Sequence, residues 1–271
     1  MLTVAACWLT SIRLISLTLF SRKTSLTFQS FLLKILWLYF PILPRENAKH
    51  QQPIIFDIIL VIIKLLINHL MYRWLIKCEL GVTYEKASMI FLILATISYV
   101  SDTPMIFVRI LTQDKYTLES FANFPPFSLS VQEFWSRRYS RIAHTILKES
   151  IYKPIRLEFS SSAIAFLITF IISGIFHAHM GMVAFGDMSS LVSIFMFFLL
   201  HGIACYLEPT IKNQIPKYIR WILTQMFLVV TSSLMFGPFI EKGCPFFENN
   251  PPPLFNIEWI PKLPVPDFCP R

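Results

Sequence analysis

The sequence predicts an all-α, multi-pass membrane protein, and three observations predict it. Hydrophobic residues make up 55% of the chain and charged residues only 15%, where a soluble domain carries about a quarter charged. Several apolar runs approach the roughly 20 residues that cross a hydrocarbon core. The basic residues that give the formal net charge of +8 cluster between those runs, which points to anionic lipid heads or a phosphorylated substrate and not to nucleic acid. With 26 Phe and only 7 Gly, the interior is expected to be built from bulky side chains, without helix contacts of the small-xxx-small type.

The expected spans are Phe28–Leu43, Ile54–Ile76, Ala87–Leu111, Ser161–Phe185, Leu191–Leu207 and Trp221–Ile240. Residues 1–20 form a further apolar segment, broken by Arg13 and lacking the basic start of a cleaved signal peptide. Basic residues in the connections Thr112–Phe159 and Glu208–Arg220 place both on the cytosolic side. Arg22 and Lys23 then fall on the wrong side if Phe28–Leu43 spans, so an interfacial position is the alternative for that segment. From Cys244 the tail is Pro-rich and cannot form a regular helix. It falls on the lumenal side, where Cys244 and Cys269 could pair. The 5 cysteines include no CxxC, and no metal or redox framework is expected. No internal repeat divides the chain, which reads as a single domain.

Within the first basic connection, SLSVQEFWSRRYSRIAHTILKESIYKP reads as an interfacial amphipathic helix. Ser130 followed by Glu133 fits a capping box, and Lys153-Pro154 fits a stop. Val131, Trp135, Tyr139, Ile142 and Ile146 fall on one face, with Arg137, Arg138, Arg141, His144 and Lys148 largely off it. Such a helix anchors in the headgroup region, or it presents arginines to the phosphates of a cytosolic donor.

The span TFIISGIFHAHMG carries His177 and His179, and ionisable groups at membrane depth are costly and usually functional. The two point about 200° apart on a helix and cannot enter one site. Neutral imidazole is suited to taking a hydroxyl proton near pH 7, which makes His177 a candidate general base. The competing reading is a core histidine bonded to neighbouring backbone. Ser173, one turn back, could hold the other ring nitrogen. Counting 1.5 Å per residue from Ser161, His177 lies roughly 24 Å along its helix, deep in the bilayer. His201, Cys205 and Glu208 share a face at ligand-like spacing but read as packed polar groups, so no metal is expected.

SVQEFWSRRYSRI resembles the S-x-x-[DE]-F-W-G-R-R-W motif of the wax synthase branch of the membrane-bound O-acyltransferases. TFIISGIFHAHMG resembles that branch's F-x-x-S-G-x-x-H-E segment. SIRLISLTLF and FFLLHGIACYLEP are weaker echoes of its S-x-R-G-x-G-W and F-F-x-x-x-G-x-x-x-x-x-E. The resemblance covers most of the chain and implies acyl transfer from acyl-CoA, as co-substrate, to a hydroxylated lipid acceptor. It implies a multi-helix fold around a tunnel in the endoplasmic reticulum membrane, with membrane lipids as its other partners and no resident cofactor. By this resemblance His177 is catalytic with Ser140 as its polar partner, while Phe134, Trp135, Arg137, Arg138 and Ser173 serve the substrates. Family members carry further helices at the N-terminus. The chain departs from the pattern at Ser136, Tyr139, Ser140 and Ala178, which keeps an inactive lipid-binding relative among the readings. A transporter using His177, His179 and His201 as a proton relay is a third, though the paired broken helices of transporter repeats are absent from the pattern.

Overall fold

The computed structural model describes residues 2–20, 27–39, 41–44, 53–77, 82–119, 125–186, 188–211 and 215–241. In chain order the elements are α1 (Leu2–Ile15, extended by a π turn to Phe20), α2 (Phe28–Tyr39), β1 (Ile42–Pro44), α3 (Ile54–Lys77), α4 (Val82–Leu111), β2 (Tyr116–Leu118) and α5 (Val131–Glu133, extended by a π turn to Arg138). There follow α6 (Arg141–Leu147), a π turn (Lys148–Tyr152), α7 (Lys153–Phe159), α8 (Ser162–Phe185), α9 (Leu191–Ile211) and α10 (Lys217–Glu241). The short strands β1 and β2 pair with each other; the other elements among the described residues are helices, as expected. Among the described residues four helices are long and apolar enough to cross a membrane: Ile54–Trp74, Ser162–Phe185, Leu191–Thr210 and Lys217–Pro238. The chain is an integral membrane protein.

One expectation about the spans changes. Phe28–Leu43 is not one helix. Its helical part, α2, has 12 residues, about 18 Å at 1.5 Å per residue, against a core of about 30 Å. The segment Ala87–Leu111 is helical within the 30-residue α4. The tail from Cys244, with the Cys244–Cys269 pairing expected there, lies outside the described residues.

The described residues group into two compact units: residues 1–42 with 122–235, and residues 43–121 with 236–271. In the first, α8 and α9 form an antiparallel hairpin. Gly186, in the left-handed conformation at φ 68°, closes α8 by donating its N–H to Met182 O at 2.8 Å. The hairpin corrects the expectation about small residues. Gly174, Ala178 and Gly181 are all buried on one face of α8, a small-xxx-small stripe in a glycine-poor chain. A Cβ on Gly174 would stand 3.0 Å from Phe195 and 3.2 Å from Phe198; one on Gly202 would stand 2.9 Å from Phe170. The bulky rings of each helix therefore sit on the glycines of the other, so the few glycines are spent where backbones must approach. Around this hairpin Val131, Phe170, Ile194, Phe197 and Phe198 form the buried core. α10 joins it through Ser193 Oγ, which donates to Leu234 O at 2.7 Å. α1 docks through two polar contacts: Trp8 Nε1 donates to His179 Nδ1 at 3.0 Å, and Arg13 pairs with Glu149 at 3.1 Å.

The second unit is dominated by the α3–α4 hairpin. Asp57, Lys64 and Asn68 ascend α3 while Arg109, Asp102 and Thr96 descend α4, and each meets its opposite number. Arg109 pairs with Asp57, Lys64 Nζ lies 2.5 Å from Asp102 Oδ2, and Asn68 Nδ2 donates to Thr96 Oγ1 at 3.1 Å. Arg109 also holds Asp114 at 2.7 Å beyond the helix end. This ladder fixes the antiparallel register.

The amphipathic segment is not one helix. Its expected single run from Ser130 to Lys153 breaks at Tyr139, which is extended (φ −112°, ψ 132°), and Ser140, which is left-handed (φ 43°, ψ 62°). Left-handed backbone is uncommon for a residue with a side chain, and it terminates helical hydrogen bonding. Lys153-Pro154 does not stop the second piece either. The preceding π turn has Lys153 donating to Lys148 O, five residues back, and this wider turn accommodates a proline ring that would clash in a regular helix. The helix ends instead at left-handed Ser160 (φ 50°).

Candidate active site around His177

His177 lies on the second half of α8, partly exposed, with its ring stacked on Phe198 at a centroid distance of 4.2 Å and edge-on to Phe176 at 4.6 Å. Its Nδ1 is 2.8 Å from the backbone carbonyl of Ser173. A carbonyl only accepts, so Nδ1 carries the proton and Nε2 carries the lone pair. The chain thus holds the ring through the Ser173 main chain, whose side chain is itself buried. His179 has the opposite arrangement. Its Nδ1 accepts from Trp8, which leaves Nε2 protonated in the neutral ring. Two histidines on one helix are set in two tautomers by different neighbours.

The two long motifs converge. Trp135, at the start of α5's π turn, lies 5.7 Å from Phe198 and edge-on to Phe170 at 5.9 Å and to His201 at 5.6 Å. One phenylalanine, Phe198, therefore separates Trp135 from His177. Phe134 stacks on Tyr139 at 5.1 Å and edge-on to Trp135 at 5.2 Å, which packs the turn around the helix break.

The arginines diverge. Arg138 Nε donates to Glu133 Oε1 at 2.7 Å, whereas Arg137 is exposed. Glu133 completes the capping arrangement differently from a simple box: Ser130 Oγ accepts from Glu133 N at 2.9 Å, but the carboxylate accepts from Leu129 N at 3.0 Å and not from Ser130. Burial works to raise the Glu133 pKa, yet the Leu129 N–H and Arg138 outweigh it and hold the carboxyl below its ordinary range. His144, on α6, is pushed below its usual value by burial and by the charges of Lys148 and Arg141. Ser140 is buried, and its carbonyl accepts from His144 N at 2.9 Å. Among the described residues its hydroxyl makes no hydrogen bond to His177.

Sequence reasoning missed what Glu208 does. Its carboxylate reaches from α9 to the start of α5, accepting from Val131 N and, at 2.8 Å, from Gln132 N. A carboxylate there satisfies orphan donors at a helix start and complements the helix dipole. It clips one motif onto another. Cys205 is buried in the core, and no cluster of three metal-ligating side chains occurs among the described residues. Beside this clip, Val131, Ala204, Glu208, Arg220, Leu223 and Phe227 line a cavity of about 390 Å³, within the range of small-molecule sites. Phe198 and Trp8 were also unforeseen, since nothing in their local sequence marks them as neighbours of the histidines.

Residues 119–200 match the model of the Membrane bound O-acyl transferase family. Among curated proteins, the chain is 27% identical to the Probable long-chain-alcohol O-fatty-acyltransferase 3 of Arabidopsis thaliana over 75% of this chain and 63% of that one. It is 28% identical to the Probable long-chain-alcohol O-fatty-acyltransferase 9 of the same plant over 46% of this chain and 41% of the relative. It is 32% identical to its Acyl-CoA--sterol O-acyltransferase 1 over 45% and 38%. Each alignment thus spans less than two thirds of the relative. The matched segment contains α5 to α8 with Trp135 and His177, and the first part of α9, to residue 200. Through residues 119–200 the chain is similar to the membrane-bound O-acyltransferase family, and the relatives it matches are long-chain-alcohol and sterol O-acyltransferases by name.

Proposed function

We propose that the protein transfers an acyl group from acyl-CoA to the hydroxyl of a lipid, a long-chain alcohol or a sterol, with His177 as general base. The observation that carries the proposal is the Nδ1 contact to the Ser173 carbonyl at 2.8 Å, which leaves Nε2 as a proton acceptor on a partly exposed ring. Support for the substrate class comes from the relatives, whose names specify long-chain alcohols and a sterol.

In this mechanism the alcohol proton passes to Nε2 as the oxygen attacks the thioester carbonyl. The tetrahedral intermediate collapses, the C–S bond breaks, and the thiolate takes the proton back from the imidazolium. The products are the ester and free CoA thiol, and the histidine returns to its starting tautomer. Exposed Arg137 is placed to meet phosphates of a cytosolic donor, while Arg138 is committed to Glu133. The endoplasmic reticulum, as the membrane in which acyl-CoA and lipid alcohols meet, is the proposed location.

The test is to incubate membranes containing the protein with labelled acyl-CoA and a panel of long-chain alcohols and sterols. Ester should form with at least one acceptor, and His177→Ala should reduce the rate by roughly 10²–10⁴-fold at unchanged protein abundance. Full activity in the alanine variant overturns the mechanism. Proton-coupled flux without ester points to transport.

A further inference from the structure

We infer that Trp135 and His201 together hold one hydroxyl group inside the first unit, supplied by a buried water or by the lipid acceptor. His201 is fully buried. Its Nδ1 lies 2.7 Å from the Phe197 carbonyl, so Nδ1 is protonated and Nε2 presents a lone pair. The polar neighbour of Nε2 is Thr231 Oγ1, at 3.5 Å. That hydroxyl has one proton, and the Phe227 carbonyl stands much closer to it, at 2.6 Å. His201 Nε2 is therefore an acceptor without a good donor.

Trp135 has the complementary defect. Its Nε1 is buried and has no hydrogen-bond partner among the described residues. The two rings meet edge-on with centroids 5.6 Å apart. A buried donor without a partner among the described residues and a buried acceptor with only a 3.5 Å contact lie within a single ring contact of each other, and buried polar groups are nearly always paired. A hydroxyl answers both at once, donating to His201 Nε2 and accepting from Trp135 Nε1. A carbonyl could serve only the indole, and an alkyl chain neither.

The place adjoins a cavity. Val131, Ala204 and Phe227 line the cavity of about 390 Å³, and Trp135, His201 and Thr231 lie one turn further along the same three helices. Beyond them stands Phe198, with Trp135 at 5.7 Å on one side and His177 stacked at 4.2 Å on the other. A hydroxyl held here is one aromatic ring from the proposed base. The acceptor version of the inference rests on the acyl-transfer proposal; the water version does not.

The test uses the full chain in lipid nanodiscs and the variants Trp135→Phe, His201→Phe and the double. Each substitution keeps an aromatic ring; Trp135→Phe removes the indole nitrogen, and His201→Phe removes Nε2 together with the Nδ1 that bonds the Phe197 carbonyl. A shared guest couples the two, so the double variant should lose no more melting temperature than the worse single. Simple addition of the two losses overturns the inference. Where His201→Phe does not accumulate, His201→Gln retains an acceptor and should keep melting temperature near the parent; a loss as large as that of His201→Leu also overturns it. The source is read from kinetics. A ten-fold or greater rise in acceptor KM in Trp135→Phe, with acyl-CoA KM unchanged, identifies the lipid hydroxyl. Coupling with no change in acceptor KM identifies water. Should no variant or parent form ester, the acyl-transfer proposal fails while the melting cycle still decides whether a guest is held.

Discussion

The two units solve the same problem in opposite ways. Both are built on apolar helix hairpins that must accommodate polar side chains where water is scarce. In the second unit the solution is charge against charge: Asp57 with Arg109 and Lys64 with Asp102, extended by Asn68 with Thr96. In the first it is ring against backbone. His177 and His201 each turn Nδ1 to the carbonyl four residues earlier, and the hairpin closes on glycines and phenylalanines instead of ions. An ion pair consumes both of its members. A histidine held by its own helix keeps one nitrogen free, and the site proposed here lies in the unit built that way.

The largest effect expected outside the site comes from breaking the ionic solution. Lys64→Met leaves Asp102 facing a hydrophobic side chain in a largely buried position, and removing one partner of such a pair costs about 3–5 kcal/mol. Thermal unfolding should show it, and the double variant Lys64→Met with Asp102→Leu should recover most of the loss. A single variant that melts like the parent would mean that the ladder does not hold the α3–α4 register.

A smaller loss is expected in the first unit where the Glu208 carboxylate joins α9 to α5. Glu208→Ala removes the acceptor of two N–H groups at the start of α5, a helix-cap loss of about 0.5–2 kcal/mol. Because the clip positions the Trp135 helix, ester formation should fall along with melting temperature, and Glu208→Gln, which keeps one acceptor oxygen, should fall less. Loss of stability with fully retained turnover would separate the clip from the site.

The smallest effect is a pH dependence. Glu133 has its pKa lowered in the folded protein, so its contribution is present above its ordinary value of 4.5 and is lost as pH falls through the lowered one. The melting difference between the parent and Glu133→Gln should be constant from pH 7 to about 5 and shrink below 4.5. A difference that is already shrinking near pH 6 would show that the cap does not stabilise the carboxylate.

Much of the fold was legible because its signals are local. Apolar runs of sufficient length predicted α3, α8, α9 and α10, since a bilayer leaves helices few alternatives. Ser130 announced the start of α5, and its hydroxyl caps that helix at Glu133 N. Periodicity then misled, because Val131, Trp135, Tyr139, Ile142 and Ile146 keep helical spacing across a break that lies in the backbone of Ser140. The stop at Pro154 failed for a related reason: a π turn changes which carbonyl faces the proline. The stripe Gly174, Ala178, Gly181 was visible in TFIISGIFHAHMG, but the low overall glycine count concealed it.

Composition and motif order determined from the sequence alone that this is a helical membrane protein with an acyltransferase-like segment, because hydropathy and short motifs are written in adjacent residues. Only the tertiary structure decided that Glu208 caps α5, that Trp8 sets the tautomer of His179, and that Phe198 lies between Trp135 and His177. Those partners are as many as 171 residues apart in the chain. A hydrogen bond or ring contact depends on where folding brings two groups together, and neither partner's local sequence records the other.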